Sequence, residues 1–159
     1  MSISARYYLK TSPASVDNDL DFDALEWSKG VRRISGSKGA RYEVAASGLY
    51  FVSISIGVQN AGESSIKAFA SLHTMNAAGE GTELRRSSIA TIAIEDQSRV
   101  TIATLVTLDA WEGVAVACRT QFGAQIAAST TDTWIELHRV GSHPMVAAKQ
   151  IGIGGGVGK

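Results

Sequence analysis

Apolar and polar side chains alternate along the stretch from Arg41 to Gln59, RYEVAASGLYFVSISIGVQ. From residue 50 onward, the even positions are all apolar: Tyr50, Val52, Ile54, Ile56 and Val58. A two-residue period is typical of a strand with one face in a core and the other in water. β-Branched and aromatic residues, which suit a pleated and half-buried surface, supply most of the apolar set. The stretch therefore predicts a central strand, entered through a turn at residues 45–48.

Further stretches repeat this alternation along the chain. They cover residues 66–72, 84–94, 100–108, 114–118, 134–140 and, more weakly, 122–128. Segments rich in Gly, Asn and Asp, which are typical turn residues, separate several of them. Short strands at fairly regular spacing, with no convincing helical period, indicate an all-β sandwich or barrel over residues 17–140. We interpret the basic, glycine-containing stretch 30–40 as a solvated hairpin connection.

Both ends differ in composition from the predicted domain. Residues 1–16 contain Tyr7 and Tyr8, followed by Pro13 among small polar residues. This composition predicts an extended N-terminal arm without a helix. Free arms are usually polar, so we expect the two tyrosines to pack on the domain itself or on a neighbouring subunit. Residues 141–159 contain Pro144 and then five glycines between 152 and 158, which predict a flexible tail.

Composition narrows the classes of function. The chain has 159 residues, 15 basic and 15 acidic, with a pI near 6.8. This length favours one domain with enough core to fold without disulfides or metal. The balanced charge argues against direct binding of nucleic acid. The single cysteine, Cys118, alternates with Val114 and Val116, so we expect it to be buried.

The first residues lack the charged and apolar regions of a signal peptide, and we expect synthesis in a cytoplasm. The apolar runs are far shorter than the roughly 20 residues of a membrane helix. We therefore predict no membrane partner.

Three patterns suggest ligand chemistry but do not fit it. Aspartates at 17, 19, 21 and 23 resemble a calcium loop, yet Phe22 and Ser28 stand where such a loop needs Gly and Glu. A solvated strand face, with Leu20 and Phe22 pointing inward, is the better interpretation. The terminal GIGGGVGK lacks the first Gly and the final Ser/Thr of a phosphate loop. The three histidines, at 73, 138 and 143, are scattered, so we predict no catalytic residue, metal or cofactor.

Trp111 lies at a predicted turn tip between two strands. A large aromatic side chain on a loop is often part of an interface. It can equally cap the end of a sandwich core, and the sequence leaves both interpretations open. The candidate interface residues are therefore Tyr7, Tyr8 and Trp111.

Three segments together resemble the complement-globular-head and tumour-necrosis-factor superfamily of jelly rolls. The first runs from Tyr42 to Val52 and includes Gly48, Tyr50 and Phe51. The second, Val100 to Val116, resembles an alternating strand followed by a turn, although Glu112-Gly113 replaces the family's Gly-Asp. The third, Trp134 to Val140, resembles the family's closing strand. The resemblance marks Gly48, Tyr50, Phe51 and Gly113 as fold signature residues.

The resemblance implies a two-sheet antiparallel jelly roll that assembles as a homotrimer and binds without catalysis. Collagen repeats and a secretion signal, common in animal members, are absent from this sequence. We therefore predict a virion structural protein that decorates or cements a phage capsid, with the major capsid protein or other virion subunits as partners. A fibre-tip knob that recognises a host-surface sugar or protein is the alternative. A small jelly-roll enzyme acting on carbohydrate is a further one.

Overall fold

A computed structural model describes residues 2–13, 19–121 and 123–142. Within these residues, twelve strands form two antiparallel sheets and no helix is present. The strands are β1 (Ser4–Tyr8), β2 (Ala24–Lys29), β3 (Val31–Gly36), β4 (Gly39–Val44), β5 (Gly48–Asn60), β6 (Ile66–Met75), β7 (Gly81–Arg86), β8 (Ala90–Ile92), β9 (Gln97–Leu108), β10 (Gly113–Thr120), β11 (Ala124–Ile126) and β12 (Trp134–Gly141).

The first sheet, sheet A, is built around β5. One edge of β5 pairs with β9 over its whole length, from Gly48 opposite Leu108 to Gln59 opposite Gln97. The other edge pairs with β12 and then with β11, and β1 and β2 extend the sheet beyond β12. The strand predicted between Arg41 and Gln59 is therefore central in the sheet, as expected.

Sheet B has the order β3-β4-β10-β6-β7, and β8 pairs with the start of β6. The alternating residues predicted to point inward do so on β5, β6, β9 and β10, where most of them are under 5% exposed. They meet the inward side chains of sheet A and form one core. Cys118 is buried in this core, as the alternation predicts.

Residues 3–9 are part of the sandwich, so they do not belong to a separate arm of the kind expected over residues 1–16. β1 lies between β12 and β2 and pairs with both. The side chains of Ile3, Ala5, Tyr7 and Leu9 are buried in the core. They form a two-residue alternation, so burial of this apolar set accounts for the strand.

Two other sequence interpretations need correction. The stretch 30–40 is not mainly a connection: it contains β3 and the start of β4, joined by a tight turn at residues 36–39. The stretch 84–94 is not one strand, because β7 and β8 are separate and Ile94 is exposed. The tail expected at 141–159 lies outside the described residues, apart from Gly141, which ends β12, and Ser142.

The segment 19–22 fills the space where β4 and β10 diverge. The amide of Leu20 donates to the carbonyl of Val116, and the amide of Phe22 donates to the hydroxyl of Tyr42. Leu20 and Phe22 point into the core, as predicted, although the segment is not a regular strand. Asp21 faces outward and forms an ion pair with Arg33, at 2.6 Å.

Candidate functional site

The outer face of sheet A exposes large apolar side chains on β5 and on the edge strand β9. Phe51 on β5 and Leu105 on β9 are directly opposite each other in the register, and they are 38% and 55% exposed. The next pair on this face, Ser53 and Ala103, consists of small residues. We call these four residues the β5–β9 patch. Single exposed apolar residues are common on proteins, whereas contiguous exposed apolar patches mark interaction surfaces.

A network of charged residues borders this patch. His138 on β12 is the cross-strand partner of Phe51, and its Nε2 lies 3.2 Å from Oε2 of Glu136. The other oxygen of Glu136 accepts from Nε of Arg6 at 2.9 Å, and Arg6 also pairs with Glu26. The guanidinium of Arg6 lies over the ring of Trp134, 5.2 Å from its centroid. The network therefore holds these side chains in fixed positions beside the patch.

A second exposed aromatic residue, Trp111, lies at one end of the sandwich. It is 47% exposed, so it does not cap the core, and its φ of 67° is in the left-handed region. Large side chains rarely adopt this conformation. The Trp111 amide donates to the carbonyl of Val44 at 2.7 Å, which fixes the turn. The guanidinium of Arg32 lies 4.8 Å from the centroid of the Trp111 ring.

Glu43 anchors Arg32 on the outer face of sheet B. Its carboxylate is buried and pairs with Arg32 at 2.6 Å and with Arg41 at 2.8 Å. Burial alone would raise the pKa of Glu43, but the two ion pairs outweigh it and lower that pKa below its usual value. Glu43 is therefore charged at neutral pH and holds Arg32 against the indole.

The predicted interface residues do not lie together. Tyr7 is only 5% exposed and packs on Tyr42, with ring centroids 5.0 Å apart, so this chain's own core accounts for it. Tyr7 therefore packs on the domain itself, which is one of the two outcomes expected for it. Tyr8 is half-buried and is the cross-strand partner of Trp134, which places it level with Ser55 on β5. Trp111 lies beyond the start of that strand, at the end of the sandwich.

The structure explains why three of the four fold signature residues occupy their positions. A Cβ at Gly48 would come within 2.5 Å of Nε of Arg139, and one at Gly113 would come within 2.4 Å of the carbonyl oxygen of Tyr42. The buried Tyr50 donates its hydroxyl to the carbonyl of Ala46 at 2.6 Å and ties the preceding turn to the strand. Phe51 is different, because it points outward into the β5–β9 patch.

The sequence reasoning missed Leu105, Trp27 and the partnership of Phe51 with Leu105. The signal was present: in an alternating strand the odd positions should be polar, yet Phe51, Ala103 and Leu105 are not. Trp27 is exposed on β2 and is the cross-strand partner of Arg6. Apolar residues at the outward positions of these strands therefore indicate the β5–β9 patch in the sequence.

No group of three or more His, Cys, Asp or Glu residues in the described parts of the chain could hold a metal ion. His73 bonds to Ser71 at 3.1 Å on the outer face of sheet B, and His138 belongs to the other sheet. No helix in the described residues is long and apolar enough to span a membrane.

No protein-family profile matches the chain, and no curated protein matches it. Solved structures do resemble it. One is the Eiger TNF from S. frugiperda, with 21% identity and a TM-score of 0.66, covering 89% of this chain and 94% of that one. Another is murine APRIL at pH 5.0, with 12% identity and a TM-score of 0.66, covering 88% of this chain and all of that one. The chain has a tumour-necrosis-factor-like jelly-roll fold.

The fold implied by the sequence resemblance is thereby confirmed. Identities of 21% and 12% show shared architecture alone. What this jelly roll binds must therefore be argued from its own surfaces.

Proposed function

We propose that this jelly roll is a non-enzymatic structural protein that forms a homotrimer through the outer face of sheet A and decorates or cements a phage capsid. The observation that carries the proposal is the β5–β9 patch, where Phe51 and Leu105 expose apolar surface at the edge of sheet A that β9 forms. Covering such a patch with a second copy removes that apolar area from water and favours association by roughly 25 cal/mol per Å².

A second apolar surface on the same protomer supports a closed ring. Ile89 and Ile94 flank β8 at the side of the sandwich, and Leu84 lies on the neighbouring strand β7; all three are exposed. β8 also lies against β9, so this side adjoins the edge of sheet A. With two different apolar surfaces, the β5–β9 patch of one copy can pack on the β8 side of the next copy. Such a contact is heterologous, and it forms a closed ring when the rotation between copies closes. The resemblance to jelly rolls that assemble around a threefold axis favours three copies.

The end of the sandwich supports a further partner. Trp111 and Arg32 project there, away from the centre of sheet A, and Trp and Arg are the residue types most enriched in interface hot spots. In a trimer, three such pairs would be presented to a common surface. Capsid subunits suit this arrangement because a repeated lattice offers the same site to each copy. A fibre-tip knob would use the same aromatic residues to recognise a host surface and is the second candidate.

The first test is the solution mass of the purified chain by light scattering. We expect a species of about three times 16.8 kDa. Phe51→Lys should release monomers because it places a charge in the patch, whereas Trp111→Ala should leave the trimer intact. A wild-type monomer at every concentration would overturn the proposal of self-association. Dissociation by the Trp111 variant alone would place the contact at the end of the sandwich.

The capsid setting is tested separately by co-sedimentation of the trimer with purified phage heads from candidate hosts. Wild-type protein should sediment with heads and raise their resistance to heat. Trp111→Ala should lose binding while it remains trimeric. Binding to host cells without binding to heads would favour the fibre-tip role.

A further inference from the structure

We propose that assembly of this jelly roll is coupled to proton uptake by His138, so that the trimer is tighter under mildly acidic conditions. The inference rests on the proposed self-association through the outer face of sheet A. His138 is the cross-strand partner of Phe51, so it lies on the same face as the β5–β9 patch and would be covered with it. Histidine is the side chain that ordinarily changes charge near neutral pH.

The partner of the imidazole is a carboxylate whose charge is only partly balanced. Oε2 of Glu136 lies 3.2 Å from Nε2 of His138, while Oε1 takes the hydrogen bond from Arg6. Arg6 is shared, because it also pairs with Glu26. The Arg6 guanidinium is therefore shared between two carboxylates. Oε2 of Glu136, the oxygen that faces His138, still needs a hydrogen-bond donor.

Few other charges in the described parts of the chain lie near the imidazole. The charged side chains presented nearby on β12, β1 and β2 are Glu136, Arg6, Glu26 and Lys29, and β5 has no charged residue. Lys29 is separated from His138 by Ser4, which pairs with both residues. That separation is two strand spacings, or roughly 10 Å. Lys29 is also exposed to solvent, which weakens its effect on His138. Glu136 is therefore the dominant charged neighbour of His138.

Covering this face in the trimer changes the equilibrium between the neutral and the protonated imidazole of His138. In the free protomer, water solvates the outer oxygen of Glu136 and competes with His138. In the trimer, water is excluded, and a charge-assisted hydrogen bond from a protonated imidazole is stronger there than in water. Each copy brings its own carboxylate, so protonation does not place three unbalanced cations together. The assembled state therefore holds the proton more firmly than the free protomer, and by linkage the proton favours assembly.

Sedimentation velocity over a concentration series of the full chain, at about pH 6 and about pH 8, tests the coupling on either side of the ordinary histidine range. We expect subunit affinity to be about tenfold higher at the lower pH, the scale of one charge-assisted hydrogen bond. His138→Gln, which still bonds to Glu136 but does not titrate, should assemble with the same affinity at both pH values. His73→Gln, on the other sheet, should keep the wild-type dependence.

The outcomes separate the two proposals. A trimer whose affinity is equal at both pH values, or a pH dependence that persists in His138→Gln, overturns the coupling and leaves self-association standing. Weaker assembly at the lower pH overturns it as well. A monomer at every pH and concentration overturns both proposals.

Discussion

The backbone of β10 approaches that of β4 so closely that a Cβ at Gly113 would lie 2.4 Å from the carbonyl oxygen of Tyr42. Gly113 pairs with Glu43 on one side and with Met75 on the other, so neither neighbouring strand leaves room to move. We expect Gly113→Ala to lower the free energy of unfolding by about 2 kcal/mol or more, as overpacking typically does. Chemical denaturation followed by Trp fluorescence measures the loss.

Gly36 is the matched control for this substitution, because a Cβ there would meet no atom within 4 Å. Gly36→Ala should change the stability by less than about 0.5 kcal/mol, as is usual for surface sites. Equal losses in the two variants would show that the approach of β10 to β4 is not what requires glycine at 113.

Trp111 combines a strained backbone with an exposed ring, and the two can be separated by substitution. Trp111→Ala removes the contact of the ring with Arg32 but keeps a Cβ at φ 67°. Trp111→Gly removes the same contact and also relieves the left-handed strain, a cost of roughly 1–2 kcal/mol for residues with a Cβ. We therefore expect the Gly variant to be more stable than the Ala variant in thermal unfolding. The opposite order would mean that the turn is not held in the left-handed conformation.

The alternation of apolar and polar residues predicted most strands of the sandwich. A strand with one buried face shows this two-residue pattern whichever strands it pairs with. Tyr50 to Val58 is the clearest example. β1 is harder to predict, because the adjacent pair Tyr7 and Tyr8 and the following Pro13 are typical of an extended arm. Its alternating set, with Ala5 and Tyr7 at its centre, is short but is what the core buries.

The candidate surface depends on register, which sequence alone does not determine. Phe51 and Leu105 meet only because β5 and β9 pair at that offset, and His138 joins them only through the register of β12. The left-handed turn of Trp111 and the anchoring of Arg32 by the buried Glu43 are tertiary as well. Exposed aromatics could be suspected from the sequence, but their neighbours could not.

The buried carboxylate of Glu43 should make stability depend on pH in the acidic range. Its pKa in the folded protein is lowered by Arg32 and Arg41, so its contribution is fully present above the unfolded value and is lost as the pH falls through the folded one. Glu43→Gln should lower the free energy of unfolding by on the order of 1–2 kcal/mol at neutral pH, because both arginines lose their charged partner. The loss is not larger because Arg32 is largely solvated.

The difference in unfolding free energy between wild type and Glu43→Gln should shrink as the pH is lowered, since protonation removes the same charge from the wild type. Denaturant titrations across the acidic range measure it. Glu83→Gln is a suitable control because that carboxylate pairs with Arg86 on the exposed strand β7. A gap for Glu43→Gln that stays constant down to the lowest pH would contradict the ion-pair explanation.

Cys118 offers a probe of global opening, because its thiol faces the core between the sheets. Burial raises the pKa of Cys118 to about 11, with a smaller opposing effect from Arg119. The thiolate is the reactive form, so the folded protein should resist thiol reagents at neutral pH. Modification by a disulfide reagent should proceed at the rate of unfolding or through the small open population, and it should accelerate in Gly113→Ala.

Cys118→Ser provides the blank for this measurement, and Gly36→Ala should react as slowly as the wild type. Rapid labelling of the native wild type, at a rate independent of added denaturant, would show that the core around β10 opens locally. Slow labelling that rises with denaturant would instead tie the exposure of Cys118 to loss of the whole sandwich, as expected for a buried residue of β10 that pairs with Ala70 on β6.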